Sequence, residues 1–100
     1  MKTTLIPYSA ISGVYFTSID IYNHNDTKTI VNVSIQSNGK IIKEVIKEIE
    51  AYHSDTFPMS NITNARKFQT IVTHDVNVFI TSFLIDKKGG ITFQTSYELE

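Results

Sequence analysis

Residues 68–85 read FQTIVTHDVNVFITSFLI, and residues 91–99 read ITFQTSYEL after the break Asp86-Lys87-Lys88-Gly89-Gly90. β-Branched and aromatic residues nearly alternate with polar ones in both segments, which is typical of a pleated, half-buried strand rather than a helix. Paired glycines between two such runs predict a hairpin. His74-Asp75 interrupts the longer run, so we expect two strands joined there by a tight turn.

Two further strands precede this region. Residues 14–22 and 30–36 carry the same β-prone pattern, and the Asx-rich turn 23–28 separates them. Ser37-Asn38-Gly39-Lys40 follows, and Asn-Gly between two β-rich runs is the strongest short-range hairpin signal. The sequence therefore predicts that residues 30–36 pair with the segment after Gly39.

The segment 41–50, IIKEVIKEIE, is compatible with two structures. Its apolar residues lie at helical spacing. The like-charge pairs Lys43/Lys47 and Glu44/Glu48, however, give no ion-pair support to a helix. The Asn-Gly turn supplies a partner for a strand. We favour the strand, and a helix here would change the fold class to α+β.

The whole chain predicts an all-β fold, an antiparallel β-sandwich or jelly roll of about seven to eight short strands. Residues 52–60 form a further short strand at an edge, where Pro58 is tolerated. Residues 14–100 form a single sandwich domain. Residues 1–13, with Pro7, Ser9 and Gly13, are expected to be an N-terminal arm or an edge strand.

Composition excludes several classes of function. The 100 residues carry 9 basic and 10 acidic side chains, a formal net charge of −1, which argues against nucleic-acid binding. No cysteine is present, so disulfides and thiolate metal sites are excluded. No apolar run is long enough for a membrane span, and the N-terminus lacks the apolar core of a signal peptide. We expect a cytoplasmic location, or a cell or spore surface reached without a signal peptide.

No catalytic constellation is recognisable. The three histidines are far apart in the sequence, no nucleophile-elbow motif accompanies His74-Asp75, and no glycine-rich phosphate loop exists. We therefore expect no enzymatic activity, no metal and no cofactor. Most phenylalanines are candidates for the core, and tyrosines on a sheet face could bind a glycan or a protein partner.

The pattern of residues 21–40, IYNHNDTKTIVNVSIQSNGK, followed by FQTIVTHDVNVFI at 68–80, resembles the β-sandwich of the sensory rhodopsin transducer family. Together with GITFQTSY at 90–97, it is also similar to the subunits of bacterial endospore appendages. The second resemblance implies a jelly-roll subunit that stacks by strand addition with an N-terminal arm. Appendage subunits cross-link that arm through cysteines, and this chain has none.

Two functional hypotheses follow. The first is a structural or assembly subunit that forms homo-oligomers through edge strands or through the apolar residues of the arm, Leu5, Ile6, Tyr8 and Ile11. The second is an adaptor module that binds another protein or a glycan through the loops 23–28, 61–67 and 86–90. Tyr22, Lys67 and Lys87 are the candidate contact residues of these loops.

Overall fold

The computed structural model of the protein describes residues 2–12, 14–75 and 77–99. Within these ranges the chain forms nine strands in two antiparallel sheets and contains no α-helix, which confirms the predicted all-β class. Gly13 of the expected arm and Val76 of the long β-run lie outside the described ranges. The strands are β1 (Lys2–Ala10), β2 (Tyr15–Tyr22), β3 (Thr29–Ser37), β4 (Lys40–Ile49), β5 (Ser54–Pro58), β6 (Lys67–His74), β7 (Phe79–Asp86), β8 (Ile91–Phe93) and β9 (Tyr97–Leu99).

The two sheets interleave along the chain. One has five strands in the order β4-β3-β6-β1-β9, and the other has four in the order β5-β2-β7-β8. The chain crosses between sheets after β1, β2, β4, β5, β6 and β8, whereas β3–β4 and β7–β8 are hairpins. β6 and β7 therefore lie in different sheets, and the tight turn predicted at His74-Asp75 is in fact a crossover.

The core lies between the inner faces of the sheets. β-Branched residues at every second position of β2 and β3, such as Ile19, Ile21 and Val33, are fully buried because a strand presents alternate side chains to one face. Burying each such side chain stabilises the fold by about 1.5–3 kcal/mol. The described core comprises Ile6, Ile19, Ile21, Val31, Val33, Ile35, Ile49, Phe57, Met59, Phe68 and Val72.

The β3–β4 hairpin forms at the predicted Asn-Gly turn. Asn38 and Gly39 have φ angles of 53° and 77°, the left-handed conformation that this turn requires. The segment 41–50 is accordingly a strand, and the α+β alternative is not adopted. A bulge between Ile35 and Gln36 accommodates an extra residue at the start of β4.

The N-terminal segment is a strand of the five-stranded sheet rather than a free arm. β6 pairs with Lys2–Ala10 on one side, and the short β9 pairs with Thr3–Leu5 on the other, so residues 6–10 still lie along an edge. A bulge between Ile6 and Ser9 takes up Pro7, which has no N–H to donate to the ladder. Residues 2–10 are thus committed to the sheet and are not available as a free arm.

The strand directions give the sandwich two distinct ends. The connections after β2, β4 and β6 lie at one end, which we call the His74 end. Those after β1, β3, β5 and β7 lie at the other, the Gly39 end.

A buried asparagine organises the His74 end. Asn23 is fully buried, and its side-chain nitrogen donates to the carbonyl oxygens of Thr27, Ile49 and Glu50 at 2.9, 3.1 and 3.2 Å. Its side-chain oxygen accepts from the backbone N–H and the amide of Asn25. One side chain thereby joins the connection after β2 to the end of β4.

Candidate functional site

The outer face of the four-stranded sheet carries a row of aromatic and aliphatic side chains. Thr17, Ile19 and Ile21 of β2 point inward, so the residues between them and their cross-strand neighbours point outward. Phe79, Ile91 and Phe93 are 62%, 59% and 74% exposed. We call this surface the aromatic face and define it as Phe16, Tyr22, Phe79, Phe83, Ile85, Ile91 and Phe93.

Ring contacts order the aromatic face. Tyr22 stacks on Phe79 with ring centres 6.4 Å apart and an interplanar angle of 16°. Phe83 meets Phe93 edge-on, with centres 6.4 Å apart and an angle of 72°. Such cross-strand aromatic pairs stabilise a sheet by about 0.2–1 kcal/mol each and restrict the rings to fixed positions. The surface is therefore pre-organised for contact.

The aromatic face has little charge. Among the described outward positions of β2, β5, β7 and β8, the charged residue is Asp20, whose carboxylate accepts a 2.7 Å hydrogen bond from the Thr56 hydroxyl. Lysine and arginine are absent from these positions. Depletion of charge around exposed rings is the composition expected at the centre of a protein interface.

A solvent-open cavity of about 630 Å³ lies at the His74 end, between the start of β7 and the β1–β9 part of the other sheet. His24 packs against Phe79 at its rim, with ring centres 4.8 Å apart. An ion pair of 3.5 Å joins Lys2 Nζ to Glu98 Oε1 in its wall. The cavity is lined by Lys2, Thr4, His24, His74, Asn77, Val78, Phe79, Ile80, Ser96 and Glu98.

β4 is the long edge strand of the five-stranded sheet, and β9 is the short one at the opposite edge. The apolar residues Ile41, Ile42 and Ile46 of β4 are 54%, 46% and 70% exposed, so a strand of another chain can pair with this edge. Its charges oppose symmetric pairing. When two copies of β4 pair antiparallel about a two-fold axis at one residue, residues equally far before and after the axis lie opposite each other. For an axis at any residue from 43 to 48, at least one such pair is lysine against lysine or glutamate against glutamate.

The four candidate contact residues of β1 and its exit have different environments. Ile6 is fully buried in the core, and Ile11 is partly buried against it. Leu5 is half-buried between Ile71 and Tyr97 on the outer side of the five-stranded sheet. Ile6 and Ile11 therefore stabilise the fold, which differs from the contact role expected of them.

Tyr8 is the exposed member of this group, at 44%. Its hydroxyl lies 3.4 Å from that of Tyr15. This hydrogen bond, with a smaller effect of desolvation, raises the pKa of Tyr8 above its ordinary value.

The structure separates the three candidate loop residues. Tyr22 belongs to the aromatic face near the His74 end, whereas Lys67, the first residue of β6, and Lys87, after β7, lie exposed at the Gly39 end. Loops 61–67 and 86–90 share the Gly39 end, whereas loop 23–28 lies at the His74 end, so the three do not form one continuous surface. Binding of a partner through these loops stays a prediction.

Sequence reasoning missed the outward phenylalanines. Phe57 and Phe68 are in the core as expected, but Phe79 and Phe93 are exposed. The hairpin around Gly89-Gly90 could have revealed them, because it pairs Phe83 with Phe93 and so assigns Phe79 to the same face.

Metal and membrane features are limited in the part of the chain that the structure describes. Across 2–12, 14–75 and 77–99, no three histidine or acidic side chains converge on a position that could hold a metal ion. Over the same ranges, no helix has the length and hydropathy needed to cross a membrane.

Two solved structures are similar to this chain. The crystal structure of Thermotoga maritima 1070 superposes with a TM-score of 0.74 at 15% identity, covering 98% of this chain and 90% of that one. The Anabaena sensory rhodopsin transducer superposes with a TM-score of 0.56 at 11% identity, covering 71% and 95%. No family model and no curated protein matches the sequence. At these identities the likeness concerns the fold: it supports the transducer-like sandwich, while the resemblance to endospore appendage subunits stays a prediction.

Proposed function

We propose that the protein is a non-enzymatic subunit that associates with a second copy of itself through the aromatic face. The observation that carries the proposal is the exposure of Phe79, Ile91 and Phe93 on a surface without lysine or arginine. Exposed apolar clusters of this kind mark interaction sites.

The size of the face suits a weak dimer. Its strands β2, β5, β7 and β8 contain 8, 5, 8 and 3 residues, which at about 3.3 Å per residue and about 4.8 Å between strands gives a projected area of roughly 380 Å². Two copies packed face to face, about 10 Å apart, would bury roughly 760 Å², the size of a weak, transient interface, so we expect dimers only at high protein concentration.

The face is a better surface for self-association than the arm or the edges. β1 pairs with β6 along its length and with β9 at Thr3–Leu5, and its remaining edge is interrupted by Pro7 and by the hydrogen bond from the Gln94 side chain to the Tyr8 carbonyl. β4 carries like charges against its own symmetry mate. The other edge strands, β5, β8 and β9, have five, three and three residues. Short edges offer few backbone groups to a second chain.

Sedimentation equilibrium from about 1 to about 300 μM tests the proposal. We expect concentration-dependent dimers, and we expect Phe93→Lys to weaken dimerisation by about thirtyfold or more, the loss typical of a hot-spot residue. Ile46→Lys is the matched control, because Ile46 is 70% exposed on the other sheet. A wild-type protein that stays monomeric throughout, or equal effects of the two variants, would refute the proposal.

A further inference from the structure

The interior of the sandwich becomes polar at the His74 end. Thr4 is opposite both Val72 and Glu98, and Lys2 is opposite His74, so all of these side chains belong to the inner face of the five-stranded sheet. Further along the same face, Ile6, Val33 and Phe68 form the core. A sandwich normally closes its interior with apolar side chains. Here an ammonium, a carboxylate, a hydroxyl and an imidazole surround the end cavity.

The pairing register of β9 makes this end polar, because it turns the charged residue of β9 inward and its apolar residues outward. Glu98 lies on the inner face, whereas Tyr97 and Leu99 point outward and are 54% and 43% exposed. A slip of one residue would exchange the two faces, and burying each apolar side chain fully would gain about 1.5–3 kcal/mol.

Gln94 opposes such a slip. Its backbone N–H donates to the Ser82 carbonyl at 2.8 Å, and its side chain bonds to the Ser82 hydroxyl and the Tyr8 carbonyl, each at 3.0 Å. These bonds fix the point at which the chain crosses to β9. The hydrogen bonds of Gln94 therefore fix the register that places the Glu98 carboxylate at the cavity.

The charges of the cavity select for a ligand with both signs. Apart from the histidines, the charged lining residues are Lys2 and Glu98, joined at 3.5 Å with side chains that are 45% and 66% exposed. Their charges cancel, so neither a simple anion nor a simple cation is attracted over a distance. A pair this exposed is worth about 0–1 kcal/mol, so a ligand can separate it at little cost.

We propose that the end cavity binds a small zwitterion, namely a free amino acid or a short peptide. Its carboxylate pairs with the Lys2 ammonium and its ammonium with the Glu98 carboxylate, replacing one weak ion pair by two charge-assisted hydrogen bonds. Its side chain contacts the apolar wall of Val78, Phe79 and Ile80. The volume of 630 Å³ equals that of about twenty waters, enough for one or two amino-acid residues.

Titration of the wild-type protein with L-leucine and the dipeptide Leu-Leu, followed by backbone amide NMR shifts, tests this proposal. We expect saturable shifts clustered at Lys2, Thr4, residues 77–80 and Glu98. N-acetyl-L-leucine lacks the ammonium and L-leucinamide lacks the carboxylate, so each should bind at least about tenfold more weakly than L-leucine. Absence of saturable shifts with both zwitterions up to about 10 mM, or equal binding of the blocked compounds, would overturn the proposal.

Two variants locate the site. Glu98→Gln should weaken zwitterion binding about tenfold or more. Glu48→Gln should leave it unchanged, because Glu48 forms its 3.1 Å ion pair with Lys28 outside the cavity. Equal binding by Glu98→Gln and the wild type would contradict the assignment. Phe93→Lys should bind the zwitterion normally, so this result is independent of whether the aromatic face dimerises.

Discussion

Replacing Asn23 by aspartate changes an amide to a carboxylate of the same shape and reverses its hydrogen bonding. The side-chain nitrogen of Asn23 faces three carbonyl oxygens at 2.9–3.2 Å in a fully buried position. An aspartate oxygen there would face the same acceptors without a proton to donate. The variant therefore leaves a buried charge against oxygen atoms at the junction of β4 and the connection after β2.

The structure sets the size of the effect. An amide donates two hydrogen bonds, whose loss costs about 1 kcal/mol each, and the acceptors left without a donor add about 1–3 kcal/mol. The sum of about 3–5 kcal/mol equals the usual cost of leaving a buried charge without a partner. It is a large part of the about 5–15 kcal/mol that stabilises a domain.

The destabilisation should depend on pH. Burial among carbonyl oxygens raises the pKa of the new carboxyl in the folded state above its unfolded value of about 3.9. A raised folded pKa favours folding at low pH, and this contribution is lost as the pH rises through the folded pKa. The gap between wild type and Asn23→Asp should therefore be widest at about pH 7 and narrow toward about pH 4.

Urea unfolding followed by circular dichroism and tyrosine fluorescence measures the gap, since the chain has no tryptophan. We expect the Asn23→Asp midpoint at neutral pH to fall by about 2 M. Asn64→Asp adds the same charge to an exposed loop and should change stability by less than about 0.5 kcal/mol. Equal stability of Asn23→Asp and wild type at neutral pH, or a gap that does not change with pH, would refute the role assigned to Asn23.

Three further predictions concern other parts of the sandwich. Tyr15→Phe removes the hydroxyl partner of Tyr8, so the Tyr8 pKa should fall toward its ordinary value; ultraviolet titration of the tyrosines measures it, and an unchanged midpoint would contradict the cause assigned to the shift. The double variant Lys43→Thr, Lys47→Thr removes the lysine–lysine pairs that disfavour two-fold axes at residues 43 and 45 of β4 and should increase concentration-dependent association, visible by gel filtration against a Lys87→Thr, Lys88→Thr control with the same change of charge. Gly39→Ala adds a Cβ that meets no atom within 4 Å, so only its φ of 77° is strained; thermal unfolding should show a loss of about 1–2 kcal/mol, and no loss would be evidence against that conformation.

The elements nearest the turns could be predicted from the sequence. Asn38-Gly39 sets the β3–β4 hairpin because both residues tolerate positive φ. That turn also determines that the segment 41–50 is a strand, although its apolar residues have helical spacing. Pairing with β3 outweighs a weak local preference for a helix.

The place of β1 could not be predicted. Its neighbours β6 and β9 lie far along the sequence, and Pro7 with the bulge after Ile6 breaks the alternation that marks a strand. No local signal carries the pairing of such distant segments, so the segment resembled a loose arm.

The candidate surface could be predicted only in part. Alternation in β7 separates Phe79, Phe83 and Ile85 from Ile80, Ser82 and Leu84, but it does not say which set faces the core. The structure buries Ser82 and turns the phenylalanines outward. A ranking by hydropathy would bury Phe79, Phe83 and Ile85 instead. Such a ranking fails because the position of the other sheet, which is not a local property of β7, determines which side of β7 is covered.

The strand order also has a consequence for folding during synthesis. β1 leaves the ribosome first, yet one of its neighbours, β6, begins at Lys67 and the other, β9, begins at Tyr97. The β3–β4 hairpin can form early, while β1 has to wait without a partner until β6 has been synthesised. A topology dominated by such distant pairings folds in about milliseconds to seconds. We therefore expect the insertion of β1 to be the late, rate-limiting event, with a nascent chain that depends on chaperones until then.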